Sequence, residues 1–184
     1  TLNRSECLNA DWRTIGLEDG AEGYPLSRIG EHREACAEHG VQPLLDRYRE
    51  GYEEGVRLYC VPRTAYRLGL RGGRYQGTCP ADLESEFRAY HAIGSEIHQL
   101  NQQLLRDERT LRELQREYDS YSETMASKEA QLVSAGLTRP QRQRLLDEIK
   151  SLSASLVALE AALYTHAQSL SGQREEIARR KLSF

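Results

Sequence analysis

Two runs of heptad-spaced residues, one on each side of Gly136, constrain this chain more than any other feature. Before Gly136, one row holds Tyr90, Ile97, Leu104, Leu111, Tyr118, Met125 and Leu132, and a second holds Ile93, Leu100, Asp107, Leu114, Tyr121, Lys128 and Ala135. After it, the rows are Leu145, Leu152, Leu159, His166, Gln173 and Arg180 beside Ile149, Leu156, Leu163, Leu170, Ile177 and Phe184. Apolar residues alternating three and four positions apart form one stripe along an α-helix, and a repeat sustained this long predicts a coiled coil. The stretch between the runs, SAGLTRPQ, reads as a corner. Gly136 supplies a left-handed residue after a helix end, Thr138 and Gln141 form a T-x-x-Q capping box, and Pro140 falls in a first turn, where its missing N–H costs little. A loop this short makes the two helices antiparallel neighbours. At 1.5 Å per residue the hairpin is about 70 Å long.

Folding one run onto the other about this turn brings Met125 near Leu152, Tyr118 near Leu159, Leu111 near His166, Leu104 near Gln173 and Ile97 near Arg180. Polar core positions therefore gather toward the open end, with Asp107 close to His166 and Gln173. A polar layer that fixes register accounts for them, because no nucleophile or cleft accompanies the Asp–His pair. The second helix also carries more apolar surface than one seam consumes: Leu146, Val157, Ala161 and Tyr164 flank its core rows, where the first helix carries mostly Arg, Glu, Gln and Asp. Two readings stay open for this flank, a widened core face or a contact with a second copy or another protein.

The first eighty residues have a different character. All four cysteines, Cys7, Cys36, Cys60 and Cys79, lie there, as do most of the 14 glycines. No C-x-x-C pair occurs, and His32 with Cys36 offers only two ligands on one helix face, so two disulfides are expected rather than a metal site. If His32 and Cys36 share a helix ending at Gly40, and a second helix starting at Pro43 runs to Cys60, a Cys36–Cys60 bond would have to span about 25 Å. Cys7–Cys36 with Cys60–Cys79 is preferred, and Cys7–Cys60 with Cys36–Cys79 stays open. The segment VPRTAYRLGLRGGRYQGT reads as an irregular hairpin-like loop.

Asp11 is a plausible N-cap for a helix carrying Trp12, Ile15 and Leu17, with Gly16 and Gly20 one turn apart. Gly51 and Gly55 form a matching pair ringed by Tyr48, Tyr52 and Tyr59. Two such faces let helix backbones approach closely, so the two helices are expected to cross there; the alternative is that the glycines mark loops. The expected fold is mainly α: a small disulfide-stapled helical head at 1–80, followed by a long antiparallel coiled-coil hairpin at 81–184 with its turn at 134–139.

A formal charge of −3 and a pI near 6.0 argue against nucleic acid as a partner. No apolar run approaches the ~20 residues of a membrane span. The histidines at 32, 39, 91, 98 and 166 join no Ser, Cys or metal arrangement, so no enzyme, catalytic residue, metal or cofactor is expected. Asn3-Arg4-Ser5 matches a glycosylation triplet only by chance. Disulfides imply an oxidising compartment.

Together Cys7, Asp11-Trp12, Ile15-Gly16, Asp19-Gly20, Gly23, Ala35-Cys36, Gly40-Val41, Pro43, Tyr48, Gly51, Gly55, Tyr59-Cys60, Gly69, Gly72, Tyr75, Gly77 and Cys79-Pro80 resemble an uncharacterised proteobacterial family, the domain of unknown function numbered twenty-seven ninety-nine, over about residues 7–90. The resemblance implies a periplasmic lipoprotein associated with the outer membrane and supplies no catalytic residues. Its lipid-bearing cysteine does not precede Thr1, so membrane contact is expected only through an anchor this chain does not carry. The expected function is a non-enzymatic envelope interaction or scaffold protein whose hairpin contacts an envelope protein or a second copy. The alternative is a small-ligand or cell-wall-binding head with a pocket of Trp12, Asp19, Tyr66 and Tyr75.

Overall fold

The structure, a computed structural model, describes residues 2–182, so Phe184 at the end of the second core row lies outside the described residues. Among the described residues seven α-helices follow one another: α1 (Arg4–Leu8), α2 (Trp12–Glu22), α3 (Ile29–Ala37), α4 (Leu45–Tyr59), α5 (Pro62–Leu70), α6 (Ala81–Leu132) and α7 (Arg139–Leu182). A single 3-10 turn, Leu26–Arg28, leads into α3, and no strand occurs among the described residues. The chain divides into two compact units, Thr1–Gln99 and Leu100–Phe184, so α6 contributes to both.

In the first unit the helix ends are set by local chemistry. The Asn3 side chain accepts from the Glu6 N–H while Glu6 accepts from the Asn3 N–H, a reciprocal box that opens α1, a helix the sequence reading did not identify. The Asn3-Arg4-Ser5 triplet is thus explained by capping. Asp11 caps α2 by accepting from the N–H groups of Arg13 and Thr14, and Gly23, at φ 82°, ends it in the left-handed region.

The two glycine pairs bring α2 and α4 together main chain to main chain. A Cβ at Gly51 would lie 1.8 Å from the Arg13 carbonyl oxygen, and one at Gly55 2.0 Å from that of Leu17. Reciprocally, a Cβ at Gly16 would meet the Tyr48 carbonyl oxygen at 2.0 Å. The helices therefore cross on these faces, as their spacing predicts, and Trp12, Tyr48, Tyr52 and Val56 bury their side chains in the same core.

The segment read as an irregular hairpin-like loop is a helix over its first half. Pro62 sits at N1 of α5, where proline is pre-organised. Gly69, taken as a loop residue, lies inside this helix because α6 leaves no room for a side chain: a Cβ there would be 2.2 Å from the His91 carbonyl oxygen, and one at Gly94 would be 2.2 Å from that of Tyr66. This second backbone-to-backbone contact buries Ala65, and Phe87 of α6 packs on Tyr59 and Tyr75 at ring-centroid distances of 5.3 and 4.7 Å.

The disulfides are Cys7–Cys36 and Cys60–Cys79, with Cα–Cα distances of 5.5 and 5.7 Å, the preferred pairing. All four sulfurs are bonded. In a core with few large aliphatics, each bridge restricts the unfolded chain where side-chain burial alone is small.

The second unit is a helical hairpin. The buried positions of α7 there are Leu156, Leu170 and Ile177, all from one heptad row. Arg174 pairs with Glu108 at 2.8 Å and Lys128 pairs with Glu148, which fixes the antiparallel register. At the turn Gly136 takes φ 89°. The Thr138 N–H donates to Gln141 Oε1 at 2.8 Å, one half of the expected capping box. The other half differs, since the Thr138 hydroxyl also donates to Gln141 Oε1 and so is not oriented as an acceptor. Arg142 reaches back to the Leu132 carbonyl oxygen at 2.8 Å, satisfying one of the acceptors exposed where α6 ends. With 44 residues, α7 is about 66 Å long.

Candidate functional site

The residues nominated as a ligand pocket occupy separate places. Asp19 and Trp12 lie two turns apart on α2, and both are buried, at 7% and 5% exposure. Asp19 is the acceptor at the centre of a polar cluster: His32 Nε2 donates to Oδ2 at 2.7 Å, the Tyr48 hydroxyl donates to the same oxygen at 2.7 Å, and Arg28 Nε donates to Oδ1 at 3.0 Å. A carboxylate accepts only, so this contact places the His32 proton on Nε2. Burial, and next the bond to Asp19, push the Tyr48 hydroxyl far above its ordinary range. The Tyr52 hydroxyl donates to the Tyr24 carbonyl oxygen at 2.8 Å, and Arg28 stacks 3.7 Å above the Tyr24 ring. This cluster satisfies its own donors and acceptors and ties α2, α3 and α4 together. Sequence reasoning treated Asp19 as a ligand carboxylate and His32 as isolated; their shared partner Tyr48 became visible only once the glycine faces set the crossing of α2 and α4.

Tyr75 belongs elsewhere, on the loop after α5. Its hydroxyl donates to Glu84 and accepts from the Cys79 N–H at 2.9 Å, next to the second disulfide. Burial first, and then the bond to Glu84, push this phenol up to about 12. The Glu84 carboxyl is held below its usual range, mainly by the bond from Tyr75. Tyr75 lines a cleft whose other walls are the 72–74 loop and α6; Trp12, Asp19 and Tyr66 do not line it. Tyr66 instead lends its backbone carbonyl to the Gly94 contact.

On α7 the four flanking residues stand in solvent. Leu146, Val157 and Tyr164 are 44%, 65% and 68% exposed, and Ala161 is exposed as well. Between Lys150 and Arg174 only Glu160 carries a formal charge, so charge is sparse along the stripe over several turns. The exposed side of α6 in the hairpin instead bears Arg109, Arg112, Glu113, Arg116, Glu117 and Glu123.

Inside the hairpin, Gln173 Nε2 donates to Asp107 Oδ2 at 2.6 Å and Gln103 Nε2 donates to Oδ1 at 2.8 Å. These two bonds, Gln173 first, hold the Asp107 carboxyl below its ordinary range, while His166 acts only through a weaker charge interaction. The expected Asp107–Gln173 contact is present. Gln173 Oε1 is buried without a hydrogen-bond partner. No group of His, Cys, Asp and Glu among the described residues is arranged to hold a metal ion, and no helix among them is long and apolar enough to cross a membrane.

These features define an all-helical, disulfide-stapled domain joined to a helical hairpin. Residues 11–96 match a family described as protein of unknown function (DUF2799), so the resemblance read from the cysteines and glycines holds over that segment. No curated protein matches the chain, and no solved structure does.

Proposed function

We propose that this is a non-enzymatic interaction or scaffold protein of the cell envelope, in which the hairpin, packed as a coiled coil, presents the α7 stripe to an envelope protein or to a second copy of the chain. The observation that carries this reading is the solvent-facing apolar run of Leu146, Val157, Ala161 and Tyr164, broken by only two charges, Lys150 and Glu160, on the same face. Its counterpart α6 is charged on its exposed side, so the asymmetry is not a general property of the hairpin. Exposed apolar side chains aligned along one helix are the usual footprint of a helix-to-helix or helix-in-groove contact. Two disulfides support an oxidising compartment, which in this reading is the periplasm, with outer-membrane association as a lipoprotein.

Photo-cross-linkable residues at Val157, Ala161 and Tyr164 in the native envelope should each give one discrete adduct, and the same probe at Arg112 or Glu123 should give none. Absence of an adduct at all three stripe positions would refute the reading. Equal labelling at every exposed site would do so too.

A further inference from the structure

The cleft beside Tyr75 has a chemistry that the scaffold reading does not use. It has a volume of about 560 Å³, and its walls include Arg74, Arg88, His91, Ser95 and His98, with no carboxylate among the residues lining it. Residues 88, 91, 95 and 98 repeat every three or four positions, so α6 presents them on one face. The 72–74 loop stands opposite. Arg74 makes no hydrogen bond or ion pair among the described residues, which leaves its whole guanidinium fork available. Arg88 is anchored through Nε to Glu84 Oε1 at 2.5 Å, and its guanidinium carbon lies 5.1 Å from the Tyr75 ring centroid. Its two terminal nitrogens make no bond to Glu84.

Both histidines are held by backbone carbonyls. His91 Nε2 donates to the Gly73 oxygen at 2.8 Å, and His98 Nδ1 donates to the Leu70 oxygen at 3.1 Å, since a carbonyl can only accept. The His98 ring lies over Gly72, where a Cβ would come within 2.7 Å of Nε2 and where φ is +75°. Each ring is therefore fixed in place before any ligand arrives. The walls are equally fixed, by the Gly69–Gly94 contact behind them and by the Cys60–Cys79 bond at the end of the loop.

The geometry points to an oxyanion-binding cleft, in which Arg74 and Arg88 hold a phosphate group from the loop side and the α6 side, the Ser95 hydroxyl adds a donor, and His91 and His98, held by backbone carbonyls, shape the wall between them. Two arginines on facing walls suit the oxygens of a tetrahedral anion, and charge-assisted hydrogen bonds from guanidinium groups are the strong ones. The cleft is larger than one phosphate ion, so the ligand carries further atoms. This inference rests on the first compact unit alone and is independent of the α7 stripe.

The test is a nuclear magnetic resonance titration of the full chain with inorganic phosphate at constant ionic strength, with parallel arms of phosphatidylglycerol vesicles and phosphatidylcholine vesicles. Saturable shifts confined to Gly72, Gly73 and the side chains of Arg74, Arg88, His91 and His98 are expected. Arg74→Gln should weaken binding roughly tenfold or more, the effect of losing one charge-assisted contact. Arg112→Gln, which removes one charge from the hairpin, should leave it unchanged. Binding of phosphate assigns a soluble phosphorylated ligand; binding only of phosphatidylglycerol vesicles assigns a lipid headgroup. Either result supports the cleft. No shift in any arm overturns the proposal, as do shifts spread over all basic surfaces or shifts that persist in Arg74→Gln. Arg74 is exposed and unpartnered, so its variant should keep the wild-type helical signal, and that signal is recorded with every titration.

Discussion

Replacing Gly51 by alanine adds one methyl group, and the consequence follows from where that carbon would stand. It would lie 1.8 Å from the Arg13 carbonyl oxygen, against a floor of about 3.0 Å for real contacts, so α2 and α4 must part by roughly 3.0 − 1.8 = 1.2 Å. The obstructing atom is main chain and cannot rotate away. A gap of that size forfeits a quarter to a half or more of each van der Waals contact across the crossing. Overpacking of this kind costs about 3 kcal/mol or more, while alanine returns about 1 kcal/mol of helix propensity, for a net loss of about 2 kcal/mol or more. In a unit of this size that lowers the melting temperature by on the order of 10 °C. The control is Gly30→Ala in α3, where no atom lies within 4 Å of the added carbon. That substitution should stabilise by roughly 0.5–1 kcal/mol. Trp12 is the one tryptophan of the chain and is buried beside the crossing, so its fluorescence during guanidinium unfolding reports on this unit rather than on the hairpin. If Gly51→Ala unfolds at the same denaturant concentration as wild type, or if both variants shift in the same direction, the helices are not held backbone to backbone and the argument fails.

Asp19→Ala should destabilise the first unit by about 3 kcal/mol, because it strands a buried histidine and tyrosine donor and a half-buried arginine together; the same fluorescence assay measures it, and a loss under ~1 kcal/mol would contradict the cluster. Alkaline pH should be destabilising. Tyrosine ionises near pH 10 in the unfolded chain, whereas Tyr75 is raised to about 12 and Tyr48 is raised further, so the unfolded state releases protons first. Stability is full below pH 10 and falls as pH rises through 12, by at most about 1.4 kcal/mol per unit for each tyrosine, and Tyr48→Phe should flatten that slope in unfolding titrations. Opening Cys60–Cys79 by a paired Cys→Ala substitution, across a sequence separation of 19, should cost about 3 kcal/mol on chain-entropy grounds, checked by calorimetry. Replacing Asp107 and Gln173 together by leucine should raise the melting temperature of the hairpin while loosening its register, which cysteine cross-linking across the seam can score.

What could be read from the letters was whatever depends on periodicity. The heptads located α6 and α7, the turn and the Asp107–Gln173 contact, because a helix repeats side-chain positions by geometry alone. The Gly16/Gly20 and Gly51/Gly55 pairs were legible for the same reason, a spacing of one helical turn. Gly69 and Gly94 were not, because each stands alone on its helix and their mutual contact requires knowing that α5 folds back on α6. Glycine-rich composition then made 61–78 look like loop throughout. The four residues nominated as a pocket were chosen by type, and type cannot say that Trp12 and Asp19 turn inward while Tyr75 packs against Phe87 and Glu84 of α6. Arg74, Arg88, His91 and His98 carry no spacing signature as a set, since one of them comes from the loop and the others from α6.

The seam between α2 and α4 also determines how this domain can drift over time. Where peptide groups touch directly, the surrounding side chains have little say in the fit, so much of the outer surface is free to be rewritten. Four positions, 16, 20, 51 and 55, are denied every letter but one. A distant cousin should therefore be recognisable by two glycine doublets at a fixed interval even after its sequence has changed almost everywhere else.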